Sequence, residues 1–220
     1  MTLVIAHRGA SADEQENTLP AFERAIEDGA DYVELDVQAS VDGALVVFHD
    51  TTLGRLTPLH GPLRRRYLAE LREVGIPTLD DVLELTRGRI GVMAELKSAY
   101  LYRRHDLVRR TVELLGPDDV ALSFERRAVQ EAHRLRPELR VLQHAGYGVS
   151  IRSAAAYAWA VGFSDARVTR RSLARAAAAG LSRFVYTVND EPRMRELIEG
   201  GIEGIFTDRP AMLRAVVDSR

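Results

Sequence analysis

Three carboxylates and one ammonium recur at a spacing that gives them shared faces on two extended segments. In Tyr32-Val33-Glu34-Leu35-Asp36-Val37, alternate residues of a strand face opposite ways. Glu34 and Asp36 therefore take one face, and Val33, Leu35 and Val37 the other. Glu95 and Lys97 share a face in the same manner, with Ala94 and Leu96 opposite. Three carboxylates driven into one interior repel each other at severe cost, and a divalent cation removes that cost. All-oxygen ligation favours a hard ion, Mg2+ or Ca2+, over zinc. The plainer alternatives are a structural Glu95–Lys97 ion pair, and Glu34 and Asp36 bound to backbone N–H groups or arginines.

Two histidines add proton-transfer chemistry. His7 ends one apolar run and is followed by Arg8-Gly9; His49 ends another, Leu45-Val46-Val47-Phe48, and is followed by Asp50-Thr51. Histidines at such ends can act as general base and general acid in an in-line displacement. Arg8 can hold a phosphate oxygen through paired N–H donors. A single buried histidine is more often a satisfied core residue. His60, His105, His133 and His144 take structural places, the first three in a loop or on helices and His144 near the end of a candidate strand. Convergence favours chemistry for the rest, because each polar oddity falls at a strand end, on the inward parity, on neighbouring strands.

These positions need a scaffold of parallel strands. Short β-branched runs at 3–6, 32–37, 90–96, 120–124, 139–144, 160–163, 183–188 and 202–206 alternate with apolar stripes at helical spacing, such as Val129/Ala132/Leu135. Thr18 and Thr78 are placed as N-caps, with Asp81 completing a capping box. Eight strand–helix units in 220 residues fit an α/β, single-domain TIM (β/α)8 barrel spanning 1–220, with a short insertion after strand 2. An open doubly wound sheet is disfavoured, because no Gly-x-Gly-x-x-Gly follows the first strand. The insertion, 51–77, carries Arg64-Arg65-Arg66, expected to be a solvated face, and a short helix expected over 67–74.

Composition excludes several classes. A net charge of -2 argues against nucleic-acid binding, and zero cysteines exclude disulfides and thiolate metal sites. No run approaches the ~20 apolar residues of a membrane span. The apolar Met1–Ala6 has no basic flank and reads as a strand. A cytoplasmic protein without stable membrane insertion is the expectation.

The order of motifs resembles the glycerophosphodiester phosphodiesterases. The match includes His7-Arg8-Gly9, Glu16-Asn17-Thr18, Ala21-Phe22, Glu34-Leu35-Asp36-Val37, Asp42-Gly43 and His49-Asp50. It continues through Leu53, Arg55 and Thr57, then Pro77-Thr78-Leu79, Glu95-Leu96-Lys97, Ser123-Phe124, Thr187-Val188-Asn189 and Thr207-Asp208-Arg209-Pro210. The resemblance implies that His7 and His49 are the acid/base pair, that Glu34, Asp36 and Glu95 ligate one Mg2+ or Ca2+, and that Arg8 and Lys97 contact phosphate. It makes Glu16-Asn17-Thr18 a buttress of the first loop. Gln15 stands where the family usually has proline. Tyr186 stands where many members have tryptophan, which implies altered packing on the glycerol or headgroup.

The implied reaction takes a small-molecule glycerophosphodiester to glycerol 3-phosphate and an alcohol. The substrate's own 2-hydroxyl attacks, and water opens the cyclic phosphate. A phospholipase D-like enzyme acting on lysophospholipids or sphingolipids is the alternative, though 51–77 offers only scattered Leu and Tyr among arginines. A two-carboxylate glycosidase leaves both histidines idle. Headgroup choice is expected in 51–77 and in the later strand–helix loops, including Tyr147 and Tyr186.

Overall fold

The eight predicted strands form a closed parallel ring. In chain order the strands are β1 (Leu3–His7), β2 (Tyr32–Ala39), β3 (Leu45–Val47), β4 (Gly91–Leu96), β5 (Val120–Ser123), β6 (Arg140–His144), β7 (Ala160–Ser164), β8 (Ser182–Tyr186) and β9 (Gly204–Thr207). The structure, a computed structural model, describes residues 2–146 and 149–219; Tyr147 lies outside the described residues. Parallel pairing runs β1-β9-β8-β7-β6-β5-β4-β2, and β1 pairs with β2 to close the barrel. β3 stands outside the ring, antiparallel on the end of β2 with Val37 opposite Val47.

Strand parity sets the layers. Ile5, Tyr32, Met93, Leu122, Leu142, Phe184 and Phe206 fill the interior. Val33, Leu35 and Val37 face the helix layer, where they pack with Phe22, Val82, Val108 and Val129. Burying each such aliphatic side chain contributes roughly 1.5–3 kcal/mol. The helices are α1 (Leu19–Glu27), α2 (Leu68–Glu73), α3 (Leu79–Thr86), α4 (Leu107–Leu114), α5 (Arg126–Leu135), α6 (Ile151–Ala154), α7 (Arg170–Ala178), α8 (Glu191–Glu199) and α9 (Pro210–Asp218). Thr18 caps α1, and Thr78 with Asp81 forms the capping box of α3. No helix among the described residues is long and apolar enough to cross a membrane.

The insertion has a small core of its own. Val46, Phe48, Leu53, Leu63, Leu71 and Ile76 are buried together, so 51–77 is a folded cap and not a slack loop. α2 supplies the helix expected over 67–74. Arg64 and Arg65 are exposed, whereas Arg66 donates to Glu70 Oε1 at 2.7 Å and to the His60 carbonyl at 2.9 Å.

Every predicted strand begins and ends within two residues of expectation, and the strand expected over 32–37 runs on to Ala39. The one expected over 183–188 stops at Tyr186, and that expected over 202–206 starts at Gly204. After α8 the chain turns through Gly201 at φ +74°, and the Ile202 N–H bonds back to Leu197, which delays the strand.

Candidate active site

The inward carboxylates of β2 and β4 meet at the carboxyl end of the barrel. Glu34, Asp36 and Glu95 are buried, and one oxygen from each lies within 4.8 Å of the others. Lys97, just past β4, places Nζ 3.2 Å from both Asp36 Oδ1 and Glu95 Oε1. The Arg8 backbone N–H donates to Glu34 Oε2 at 3.0 Å, and Arg8 Nε lies 3.4 Å from Asp36 Oδ2. Asn17, at φ +58°, donates from Nδ2 to Asp36 Oδ2 at 2.8 Å and accepts the Asp36 N–H at 3.2 Å.

The three acids are not pushed the same way. Burial, reinforced by the charges of Asp36 and Glu95, holds the Glu34 carboxyl well above its ordinary value. Burial and the Asp36 charge push Glu95 up to about 7. Burial acts on Asp36 too, but Lys97, Arg8, His49 and the Asn17 hydrogen bond outweigh it and hold that carboxyl low. Asp36 Oδ1 is buried and accepts no hydrogen bond of good geometry. Three buried carboxyl groups with oxygens this close, one of them held low, are a donor set suited to a hard divalent cation.

Each histidine is held by an aspartate. His7 Nδ1 lies 2.7 Å from Asp208 Oδ1, whose carboxylate also accepts Ser11 Oγ at 3.0 Å and Asn189 Nδ2 at 2.5 Å. His49 Nδ1 lies 2.7 Å from Asp50 Oδ1. An aspartate on Nδ1 fixes the ring and favours the tautomer that leaves Nε2 free. His49 is pushed down by burial, only partly offset by Asp36. Hydrogen bonding from Arg55 holds Asp50 at about 2.

The backbone delivers both rings. Past His7 the chain turns through Arg8 at φ +59° and Gly9 at φ +85°. A Cβ on Gly9 would lie 2.7 Å from Ala21 backbone atoms, so only glycine lets this turn pack on α1. Under His49, Gln38 Nε2 donates to the carbonyls of Phe48, His49 and Asp50 at 2.6, 3.2 and 2.8 Å. Tyr102 in turn donates to Gln38 Oε1 at 2.7 Å.

A charged bridge joins the two histidine loops. Arg55, from the insertion, donates from Nε to Asp50 Oδ2 at 2.6 Å, and its Nη1 and Nη2 fork onto Glu16 at 3.0 and 2.7 Å. Glu16 Oε1 also accepts Arg8 Nη1 at 2.9 Å. A cavity of about 290 Å³ beside His7 is lined by Arg8, Ser11, Glu16, Asn189 and Asp208 among others.

The opposite wall is aromatic. His144 lies 4.5 Å from Phe124, 4.3 Å from Tyr186 and 5.7 Å from Phe206, ring centre to ring centre. Tyr186 is half-buried, and burial pushes its hydroxyl up to about 12. His144 is in the core as expected, and its buried Nδ1 lies against the Gly162 backbone without a hydrogen bond of good geometry.

The structure thus brings His7, His49, Arg8, Lys97, Glu34, Asp36 and Glu95 to one barrel end, with Tyr186 on the facing wall. Sequence reasoning assigned no part to Asp50, Asp208, Asn189, Ser11, Arg55 or Gln38. Gln38 was within reach of the parity argument, being the next inward residue after Glu34 and Asp36. Asp208 lies 201 residues from His7 and Asn189 some 180, and no local pattern joins them to it.

The family model of the glycerophosphoryl diester phosphodiesterase family matches residues 7–212. A glycerophosphodiester phosphodiesterase of Bacillus altitudinis is 33% identical over 96% of each chain, and one of Caldanaerobacter subterraneus is 32% identical over 96% of each. Among solved structures, an Oleispira antarctica phosphodiesterase in complex with the product sn-glycerol-3-phosphate superposes with a TM-score of 0.90. It is 27% identical, with 99% of this chain and 97% of that one covered. A glycerophosphodiester phosphodiesterase from Agrobacterium tumefaciens is 32% identical with a TM-score of 0.79, over 98% and 100% of the two chains.

Proposed function

Because the chain belongs to the glycerophosphoryl diester phosphodiesterase family, we propose that it hydrolyses glycerophosphodiesters by paired histidine acid–base catalysis beside a divalent cation. The observation that carries this reading is the arrangement of His7 and His49, each with Nδ1 on an aspartate, around the buried Glu34–Asp36–Glu95 cluster.

One histidine takes the proton of the substrate's 2-hydroxyl as that oxygen attacks phosphorus. The other gives a proton to the leaving alcohol oxygen. A five-membered cyclic phosphate forms, and water then opens it to glycerol 3-phosphate with the two roles exchanged. Burial pushes His49 down, which favours the neutral ring with an accepting nitrogen. Arg8 and Lys97 hold the phosphate oxygens, where charge builds up in the transition state.

Acid–base help supplies about 10²–10⁴ per group, far below what a phosphodiester needs. Glu34, Asp36 and Glu95 would hold Mg2+ or Ca2+, which when bound supplies Lewis-acid stabilisation of phosphate charge.

The test follows glycerophosphocholine by phosphorus NMR in His7→Ala and His49→Ala. Each variant should lose about 10²–10⁴ in kcat. Near-normal turnover of either variant at saturating cation would refute the assignment. Lysophosphatidylcholine in parallel measures any phospholipase-type activity.

A further inference from the structure

Two polar side chains of the aromatic wall, His144 and Tyr186, take no part in the proposed mechanism, and His144 is the more deeply buried. It ends β6 two residues after Leu142, which fills the barrel interior, so the same parity turns the imidazole inward one layer nearer the mouth. Phe124, Tyr186 and Phe206 surround it, and Lys97, His7 and Asp36 are the titratable groups that act on it.

The ring has a seat made for it. A Cβ on Gly162 of β7, the register partner of His144, would stand 2.3 Å from Nδ1. Only glycine there lets the imidazole lie flat against the neighbouring strand. Nδ1 is thereby pressed into the wall, while Nε2 occupies the distal edge of the ring. Nδ1 makes no hydrogen bond of good geometry and has the Gly162 backbone as its polar neighbour. Nε2 is not among the atoms against Gly162, so it is the nitrogen left to meet a ligand hydroxyl. Burial also pushes this histidine down to about 3, so it is uncharged at any working pH and suits a neutral hydroxyl.

The substrate has one such group without a partner. The phosphate oxygens face Arg8 and Lys97, and the 2-hydroxyl faces the histidine pair. The terminal hydroxyl of glycerol remains, on a carbon that must lie away from the charged wall. Resting on the function proposed above, we propose that His144 is a specificity-determining residue whose Nε2 hydrogen-bonds the terminal glycerol hydroxyl while the adjoining rings cover the carbon chain. Phe124 and Phe206 offer ring surface only. Tyr186 offers the hydroxyl among these rings.

The experiment compares kcat/KM for glycerophosphocholine with that for its analogue built on propane-1,2-diol, which lacks only the terminal hydroxyl. Wild type should prefer glycerol by about tenfold or more, because a site built around a hydroxyl penalises its loss. His144→Leu should reduce that preference to within about twofold by slowing the glycerol substrate alone, and His144→Gln should restore part of it. A wild-type enzyme indifferent to the terminal hydroxyl overturns the assignment without any variant. Equal losses on both substrates in His144→Leu, or loss of the preference in Tyr186→Phe instead, overturn it as well. If wild type turns over neither diester, the function itself fails and this inference falls with it.

Discussion

The buried triad makes a prediction that needs no activity assay. Glu95 sits at about 7 in the folded chain against an ordinary 4.5, because burial and the Asp36 charge oppose its ionisation. A carboxyl raised in this way keeps its proton where the unfolded chain has lost it. The stability it contributes is fully present below pH 4.5 and is lost as pH rises through about 7. The shift corresponds to ~3 kcal/mol, or ~6–12 °C in Tm for a domain of this size. Glu95→Gln keeps an uncharged side chain at every pH. In excess chelator, wild type and Glu95→Gln should melt together near pH 4.5 and diverge above it, the variant being the more stable by up to ~3 kcal/mol at pH 8. Adding Mg2+ or Ca2+ at ~100 times Kd should raise wild type by about 2.7 kcal/mol. That gain should shrink toward pH 5, since ionised ligands are required, and should be largely lost in the variant. Scanning fluorimetry across pH 4.5–8 measures all four combinations. Parallel pH profiles for the two chelated proteins would refute the buried-carboxyl reasoning. An unchanged Tm on adding either cation at pH 8 would remove the triad as a metal site.

Asp50→Asn and Asp208→Asn should each lower kcat at least ~10-fold with little change in KM, because the ring of His49 or His7 loses the acceptor that orients it; steady-state kinetics on glycerophosphocholine decides this, and an unchanged kcat refutes it. Arg55→Met should release Glu16 and Asp50 together. Since the Arg55 side chain is 46% exposed, the stability loss should be only ~1 kcal/mol after solvent screening, while kcat falls through His49. Arg55→Lys keeps the charge but not the fork, and should recover stability more fully than turnover.

Much of this was legible before any coordinates, for reasons tied to period and placement. The strands of β2 and β4 alternate cleanly, so Glu34, Asp36 and Glu95 could only converge once the ring was closed. His7 and His49 stood at breaks in apolar runs, which mark the catalytic end of a barrel. What escaped were partners set by tertiary distance. Asp208 meets His7 because β9 is the ring neighbour of β1, a relation that exists only after closure. Arg55 stood among the positions of the resemblance without a role, and only the folded cap aims it at Asp50 and Glu16. His144 was placed correctly in the core, but whether a buried nitrogen finds a partner depends on neighbours that strand parity does not specify.

The division of charge at the barrel mouth also explains why the triad can fold before it binds anything. Asp36 stays ionised because Arg8, Lys97 and Asn17 converge on it, and those cations are held in turn by Glu16 and Glu95. Glu34 and Glu95 are pushed up by burial, so protons and a cation would compete for the same oxygens. On the function proposed above, cation binding would therefore release protons and weaken as pH falls. Arg8 and Lys97 already lie on Asp36, so a cation at the triad would take over that charge and leave the two side chains to the substrate phosphate.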